Sequence, residues 1–166
     1  RLAFLTALDR AAAGTQRFAL AMLDLDRFKL VNDTLGHLAG DVMLRETHAL
    51  LVATVPETCL TARLAGDEFG LLLPVVSEDE AVMRVEQVIK ACAAPMRVLG
   101  HAVPGGISAG LVVVDPAAGE DPIDLLRRAD LALNDAKRCG RGCARLYDAA
   151  MDARLRHRRE LEGALA

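Results

Sequence analysis

The run Phe18 to Asp26 (FALAMLDLD) limits what this chain can become more than any other stretch. It is apolar until carboxylates close it, the pattern of a buried strand running up to a site. Successive strand side chains point to opposite faces, so Asp24 and Asp26 leave the strand on the same side. A fold that buries this strand must lay other elements against it, and the rest of the chain supplies them.

Phe4 to Ala13 is a short Ala-rich helix closed by Gly14. After the strand comes a polar stretch of helical character, broken at Gly36. A helix from Asp41 to Thr54 follows, with Val42, Met43, Ala49, Leu50 and Ala53 at turn-multiple spacings and Pro56 ending it. Leu60, Ala62 and Leu64 alternate with polar residues as a half-buried strand, and Phe69 to Val76 is a second, which puts Ala65 to Glu68 at a hairpin tip. Ser77 and Glu80 spell a capping box, and Ala81, Val82, Val85, Val88, Ile89 and Cys92 form one face of the helix behind it. Met96 to Val114 reads as two strands interrupted by Pro104-Gly105-Gly106. Asp121 and Pro122 start a helix that runs to Gly140, and Ala144 to Tyr147 is a closing strand. Met151 to Ala166 is a polar helix with too few apolar positions to belong to the core. The sum is an α+β sandwich, helices packed on a mainly antiparallel sheet.

Composition bounds the function. The chain has 166 residues, 52% hydrophobic and 26% charged, enough for one domain with a real core and too apolar for wholesale disorder. Lys and Arg number 20 against 23 Asp and Glu, a net charge of −3 that gives no reason to expect a nucleic-acid or membrane surface. No apolar run approaches the roughly 18 residues of a membrane span, and no signal pattern opens the chain. It begins on Arg1, as a piece of a longer protein does. Cys59, Cys92, Cys139 and Cys143 are scattered, without the His or Cys pair that completes a zinc set, and read as reduced thiols of a cytoplasmic protein.

The residues that carry chemistry are few. If the hairpin lies beside the first strand, Asp67 and Glu68 converge on Asp24 and Asp26, an oxygen-rich setting for a hard cation such as Mg2+. Lys29, Asn32, His37 and Asp41 surround the following loop and helix start, and Asn and Asp side chains suit the donors and acceptors of a purine edge. Lys137 and Arg141 flank a glycine at a helix end, where cations can hold phosphates. Taken singly, each has an ordinary reading: strand-end charge, turn, solvated lysine, loop histidine, or cations favoured at a helix C-terminus.

In order, they match a family. Asp24-Leu25-Asp26-Arg27-Phe28-Lys29-Leu30-Val31-Asn32-Asp33-Thr34-Leu35-Gly36-His37, continuing to Gly40-Asp41, resembles the opening segment of the GGDEF family of diguanylate cyclases. Ala65-Gly66-Asp67-Glu68-Phe69 resembles the signature naming that family, Ser108-Ala109-Gly110 its S-x-G strand, and Ala129 to Arg141 its last helix. The resemblance covers residues 1–148. It implies a ferredoxin-like related fold akin to nucleotidyl cyclases and polymerase palms, with a mainly antiparallel central sheet surrounded by helices. The implied reaction turns two GTP into cyclic di-GMP and two pyrophosphates. Asp24, the Leu25 carbonyl and Asp67 would bind Mg2+ or Mn2+. Asp67 would also accept the 3′-hydroxyl proton, with Glu68 supporting the metal site. Asn32 and Asp41 would read guanine near His37, with Gly66 at the nucleotide, while Lys29, Lys137 and Arg141 would neutralise the triphosphate. One domain holds one GTP, so synthesis implies a homodimer.

Departures from the family pattern raise an alternative. Ala65 stands where the signature has its first glycine, and a methyl group there burdens a turn that needs positive φ or close approach to nucleotide. Asn134 replaces a usual Tyr, Gly142 a common Asn, and the family's N-terminal D-x-L-T-G-L-x-N motif is missing. Residues 149–166 resemble a linker helix toward an EAL phosphodiesterase domain, or are a plain solvent-exposed helix; a sensor domain would lie upstream, and other domains could anchor the whole protein to a membrane that this one does not touch. The alternative function is a degenerate domain that binds GTP and regulates an attached EAL domain.

Overall fold

In the computed structural model, which describes residues 1–166, the apolar run is β1 (Phe18–Leu25), buried along its whole length at the centre of a five-stranded sheet. On one side it pairs antiparallel with β3 (Glu68–Pro74), which β2 (Leu60–Ala65) flanks; on the other it pairs antiparallel with β6 (Ile107–Val114). Beyond β6 the edge strand β7 (Ala144–Leu146) runs parallel. The expected α+β sandwich on a mainly antiparallel sheet is the observed architecture.

Alternation along β1 divides the core in two. Ala19, Ala21, Leu23 and Leu25 face a cluster built from α2 (Phe28–Leu35), α3 (His37–Thr54) and α4 (Glu78–Cys92), including Val31, Met43, Leu51, Val85 and Val88. Phe18, Leu20 and Met22 face α1 (Leu2–Ala12) and α5 (Pro122–Arg138), meeting Phe4, Leu8, Leu125, Ala129 and Leu133. With both faces covered, only the strand ends meet solvent, and the Asp24 end becomes the site. No helix is long and apolar enough to cross a membrane.

Four details differ from the sequence reading. Met96 to Val114 forms three strands, because β4 (Met96–Val98) and β5 (His101–Val103) make a separate hairpin before β6. Its turn, Leu99-Gly100, holds φ of 50° and 82°, a double positive-φ turn that sequences normally announce with Asn-Gly rather than Leu-Gly. The interruption at Pro104-Gly105-Gly106 is a close crossing: a Cβ on Gly105 would lie 2.3 Å from the carbonyl oxygens of Cys92 and Ala94. Helix α3 begins at His37 rather than Asp41. The final helix, α6 (Ala149–Leu165), is not wholly outside the core, because Met151 is buried against Leu131 and Ala132 beside Tyr147 and Leu155. The capping box forms at Ser77 as expected, with only its return bond displaced by one residue. Ser77 Oγ accepts the Glu80 N–H at 3.1 Å, and Glu80 Oε2 accepts the Val76 N–H at 2.8 Å.

Candidate active site

The sheet register sets Asp24 on β1 opposite Glu68 on β3 and Ser108 on β6. Asp24 shares a face with Met22, toward α5, and is 7% exposed. Lys137, in the last turn of α5, donates to Asp24 Oδ2, while Asp24 Oδ1 is buried with no partner. Burial pushes the Asp24 carboxyl up to about 7; Lys137 opposes the shift, and the Asp67 carboxyl, within hydrogen-bond reach, adds to it.

Asp67 is held there by the hairpin turn. The Leu25 N–H donates to the Asp67 carbonyl at 3.3 Å, tying the turn to the end of β1. Arg63 Nε donates to the Gly66 carbonyl at 2.9 Å and braces it from the other side. Positive φ falls on Gly66 (+50°), whereas Ala65 pairs with Glu68 in the ladder and holds no positive φ. The methyl group of Ala65 therefore costs this turn no backbone strain.

The other half of the site is the α2–α3 corner. Asn32 Oδ1 is buried without a partner, and its amide rests where Gly40 has no side chain: a Cβ there would lie 1.8 Å from Oδ1. Asp41, next in sequence, is exposed and lines a cleft of about 540 Å³ with Leu38, Leu44, Arg45, His48 and Arg63. Arg63 thus touches both the cleft and the signature turn. His37 and Lys29 are exposed at the starts of α3 and α2, and His37 is not among the cleft's lining residues.

Asp26 does not join Asp24. As its spacing predicts, Asp26 leaves on the face of Asp24, whose cross-strand partner is Ser108, but its oxygens are taken by the Ser108 hydroxyl and the 140–142 loop rather than turned to the Asp67 carboxyl. Arg141 Nη1 lies 4.0 Å from Asp26 Oδ1, and the Arg141 side chain is half exposed. The structure thus brings Asp24, Asp67 and Lys137 into direct contact, with Glu68 paired to Asp24 in the register and Arg141 held at Asp26. Sequence reasoning missed the Gly40 seat of Asn32, the Arg63 brace and the Ser108 partner of Asp26. Only the S-x-G spelling hinted at the last.

No group of three or more His, Cys, Asp or Glu is arranged to enclose an ion. Asp24 and Asp67, with an orphaned buried oxygen between core and turn, suit instead a cation that takes one or two carboxylates and completes its shell with waters and phosphates, as Mg2+ does.

The family model described as diguanylate cyclase, GGDEF domain matches residues 1–143. This chain belongs to the GGDEF family. It is 35% identical over 160 residues to the diguanylate cyclase TpbB of Pseudomonas aeruginosa, covering 95% of this chain and 37% of TpbB. It is 33% identical over 155 residues to MucR of the same species, a bifunctional diguanylate cyclase and cyclic di-GMP phosphodiesterase, covering 93% of this chain and 22% of MucR. The chain spans well under half the length of these relatives. Among solved structures, the GGDEF domain of TpbB superposes with a TM-score of 0.86 at 34% identity, covering 94% of each chain. That of DgcB from Caulobacter crescentus, solved in complex with c-di-GMP, does so at 0.80 and 29% identity, covering 88% of this chain and 89% of DgcB's.

Proposed function

We propose that this GGDEF domain is an active diguanylate cyclase, condensing two GTP into cyclic di-GMP and two pyrophosphates with Mg2+ or Mn2+. The carrying observation is the buried Asp24 carboxylate, one oxygen on Lys137 and the other unpartnered, facing the Asp67 turn. Phosphoryl transfer needs positioning and charge rather than a covalent nucleophile, and this end of the sheet supplies both.

Asp24, the Leu25 carbonyl and Asp67 are the residues that would hold the cation. When bound, it would supply Lewis-acid polarisation of the reacting phosphate. Asp67 accepts the 3′-hydroxyl proton, with Glu68 beside it supporting the metal site. Asn32 reads guanine with the oxygen that Gly40 leaves room for, together with Asp41 in the cleft and His37 at its approach. Gly66 lets the turn come close to the nucleotide. Lys137, Arg141 and Lys29 neutralise the triphosphate. A degenerate, GTP-binding regulator is the reading Ala65 suggested, and the negative φ there weakens it.

One domain contributes one GTP, so we take the active species to be a homodimer with its sites face to face. Residues 1–148 form the cyclase domain. Residues 149–166 lead toward a further domain, for which an EAL phosphodiesterase is supported by the bifunctional relative. A sensor domain upstream and a cytoplasmic setting, where GTP is supplied, complete this reading.

The test is to incubate the protein at high concentration with GTP and Mg2+ or Mn2+ and to look for cyclic di-GMP and pyrophosphate. We expect both in a 1:2 ratio. Tight GTP binding with no product would instead establish the regulator.

A further inference from the structure

Asp26 is spelled like a second metal ligand but is built differently from Asp24. Both its oxygens are taken: Oδ1 accepts the Ser108 hydroxyl at 2.5 Å, and Oδ2 accepts the Gly142 N–H at 3.1 Å. That same N–H also lies 3.1 Å from Ser108 Oγ. The Asp26 N–H donates to the Gly106 carbonyl at 3.1 Å, fixing its backbone as well. Ser108 is fully buried and the Asp26 side chain 7% exposed, so the carboxylate and hydroxyl of the clamp are largely shielded, while Gly142 sits at its solvent edge.

What the clamp holds is a loop that would not hold itself. Gly140, Arg141 and Gly142 take φ of 107°, 64° and 61° in succession, and an L side chain such as Arg141 adopts the left-handed region only where its surroundings impose it. Here the Arg141 N–H reaches back to the Ala136 carbonyl at 3.1 Å, and the next residue is pinned on Asp26. The guanidinium is left half exposed, 4.0 Å from Asp26 and free to turn to an anion.

We propose that Asp26 is a positioning residue for the triphosphate: through Gly142 and Ser108 it holds the 140–142 loop in the left-handed conformation that aims Arg141 at the site. The inference rests on the reading of Arg141 as a phosphate ligand. It explains why a second carboxylate stands two residues after the metal-binding one without sharing its role. It also accounts for Ser108, whose hydroxyl bridges the carboxylate and the loop.

The test uses 3′-deoxy-GTP with Mg2+, which binds without the attacking hydroxyl, and guanosine, which has no phosphate. Asp26→Ala should weaken 3′-deoxy-GTP about ten-fold or more while leaving guanosine within about two-fold, the scale seen when a ligand's outer supports are removed. Gly142 amide exchange should accelerate in the same variant. Asp26→Asn, which keeps one acceptor and the shape, should fall between. Arg141→Ala should match Asp26→Ala, and the double variant should lose no more than either alone, because both act through one side chain. Should Asp26→Ala fail to fold, Ser108→Ala gives the same direction with a smaller loss. Unchanged triphosphate affinity in a folded clamp variant, equal loss of guanosine, or additive losses would overturn the inference. If Arg141→Ala alone has no effect, the phosphate reading beneath it fails instead.

Discussion

Two aspartates in this chain are pushed in opposite directions, and the contrast separates the working end of the molecule from its support. Asp24 sits at the end of the central strand with one oxygen unpartnered, and burial raises its carboxyl to about 7. Asp152, in the first turn of α6, accepts from Arg127 at 2.7 Å and 3.4 Å and from the Tyr147 hydroxyl, which hold its carboxyl below the usual range. Arg127 is held in turn by Asp124 at 2.9 Å, and Arg128 lies over the Tyr147 ring. An unsatisfied buried carboxylate opposes folding and suits a ligand that completes it. A satisfied, half-buried one such as Asp152 merely docks a helix.

The largest effect expected at the first region is from Asp67→Ala. The residue lies in a partly exposed turn and contributes little packing, so cyclic di-GMP synthesis should vanish while the melting temperature stays close to that of the parent. Retained turnover, measured by product formation, would place the chemistry elsewhere.

Gly40→Ala comes next. The new Cβ must drive away the Asn32 amide, so GTP should weaken roughly ten-fold, as in Asn32→Ala, with ATP unaffected. Calorimetry with both nucleotides checks this, and equal losses for ATP would remove the guanine assignment.

A smaller effect separates the two aspartates by pH. Folded, Asp24 keeps its proton to about pH 7; unfolded, it loses it near its ordinary 3.8. Between these values the native state binds more protons, so without divalent ions stability falls as pH rises. The slope should flatten in Asp24→Asn, and Mg2+ should raise the melting temperature more at pH 8 than at pH 5.5. Asp152 behaves in the opposite sense: its contribution is present above the unfolded carboxyl value and is lost as pH falls through its lower folded one. Arg127→Ala should reduce that acid sensitivity, leaving the share due to the Tyr147 hydroxyl, at a cost of about 1 kcal/mol, since the Arg127 side of the pair is exposed. Amide exchange of α6 against pH reads it directly.

Local sequence carried much of this. An apolar run ending in acid, Ser77 three residues before Glu80 and Asp121 before Pro122 act through neighbouring backbone, so they are legible one stretch at a time. The β4–β5 hairpin was not, because Leu99 in a left-handed turn is imposed by the partner strand rather than by its own preference. Nor was the docking of Met151, a single apolar residue in a polar helix, whose burial depends on Leu131 and Ala132 of α5.

The site divides along the same line. The sequence by itself determined which residue types are present and in what order, enough to name the family and the candidate ligands. Only the tertiary structure decided that Asp24 keeps an open oxygen while Asp26 is consumed in a clamp. It likewise decided that Lys137, at the end of the helix packed on that face, reaches Asp24 and that positive φ falls on Gly66 rather than Ala65. The two aspartates, alike in chemistry, are told apart by partners 82 to 116 positions away along the chain. Spacing within a strand or helix cannot carry that distinction, because the energy that separates one carboxylate from another comes from what packs against it.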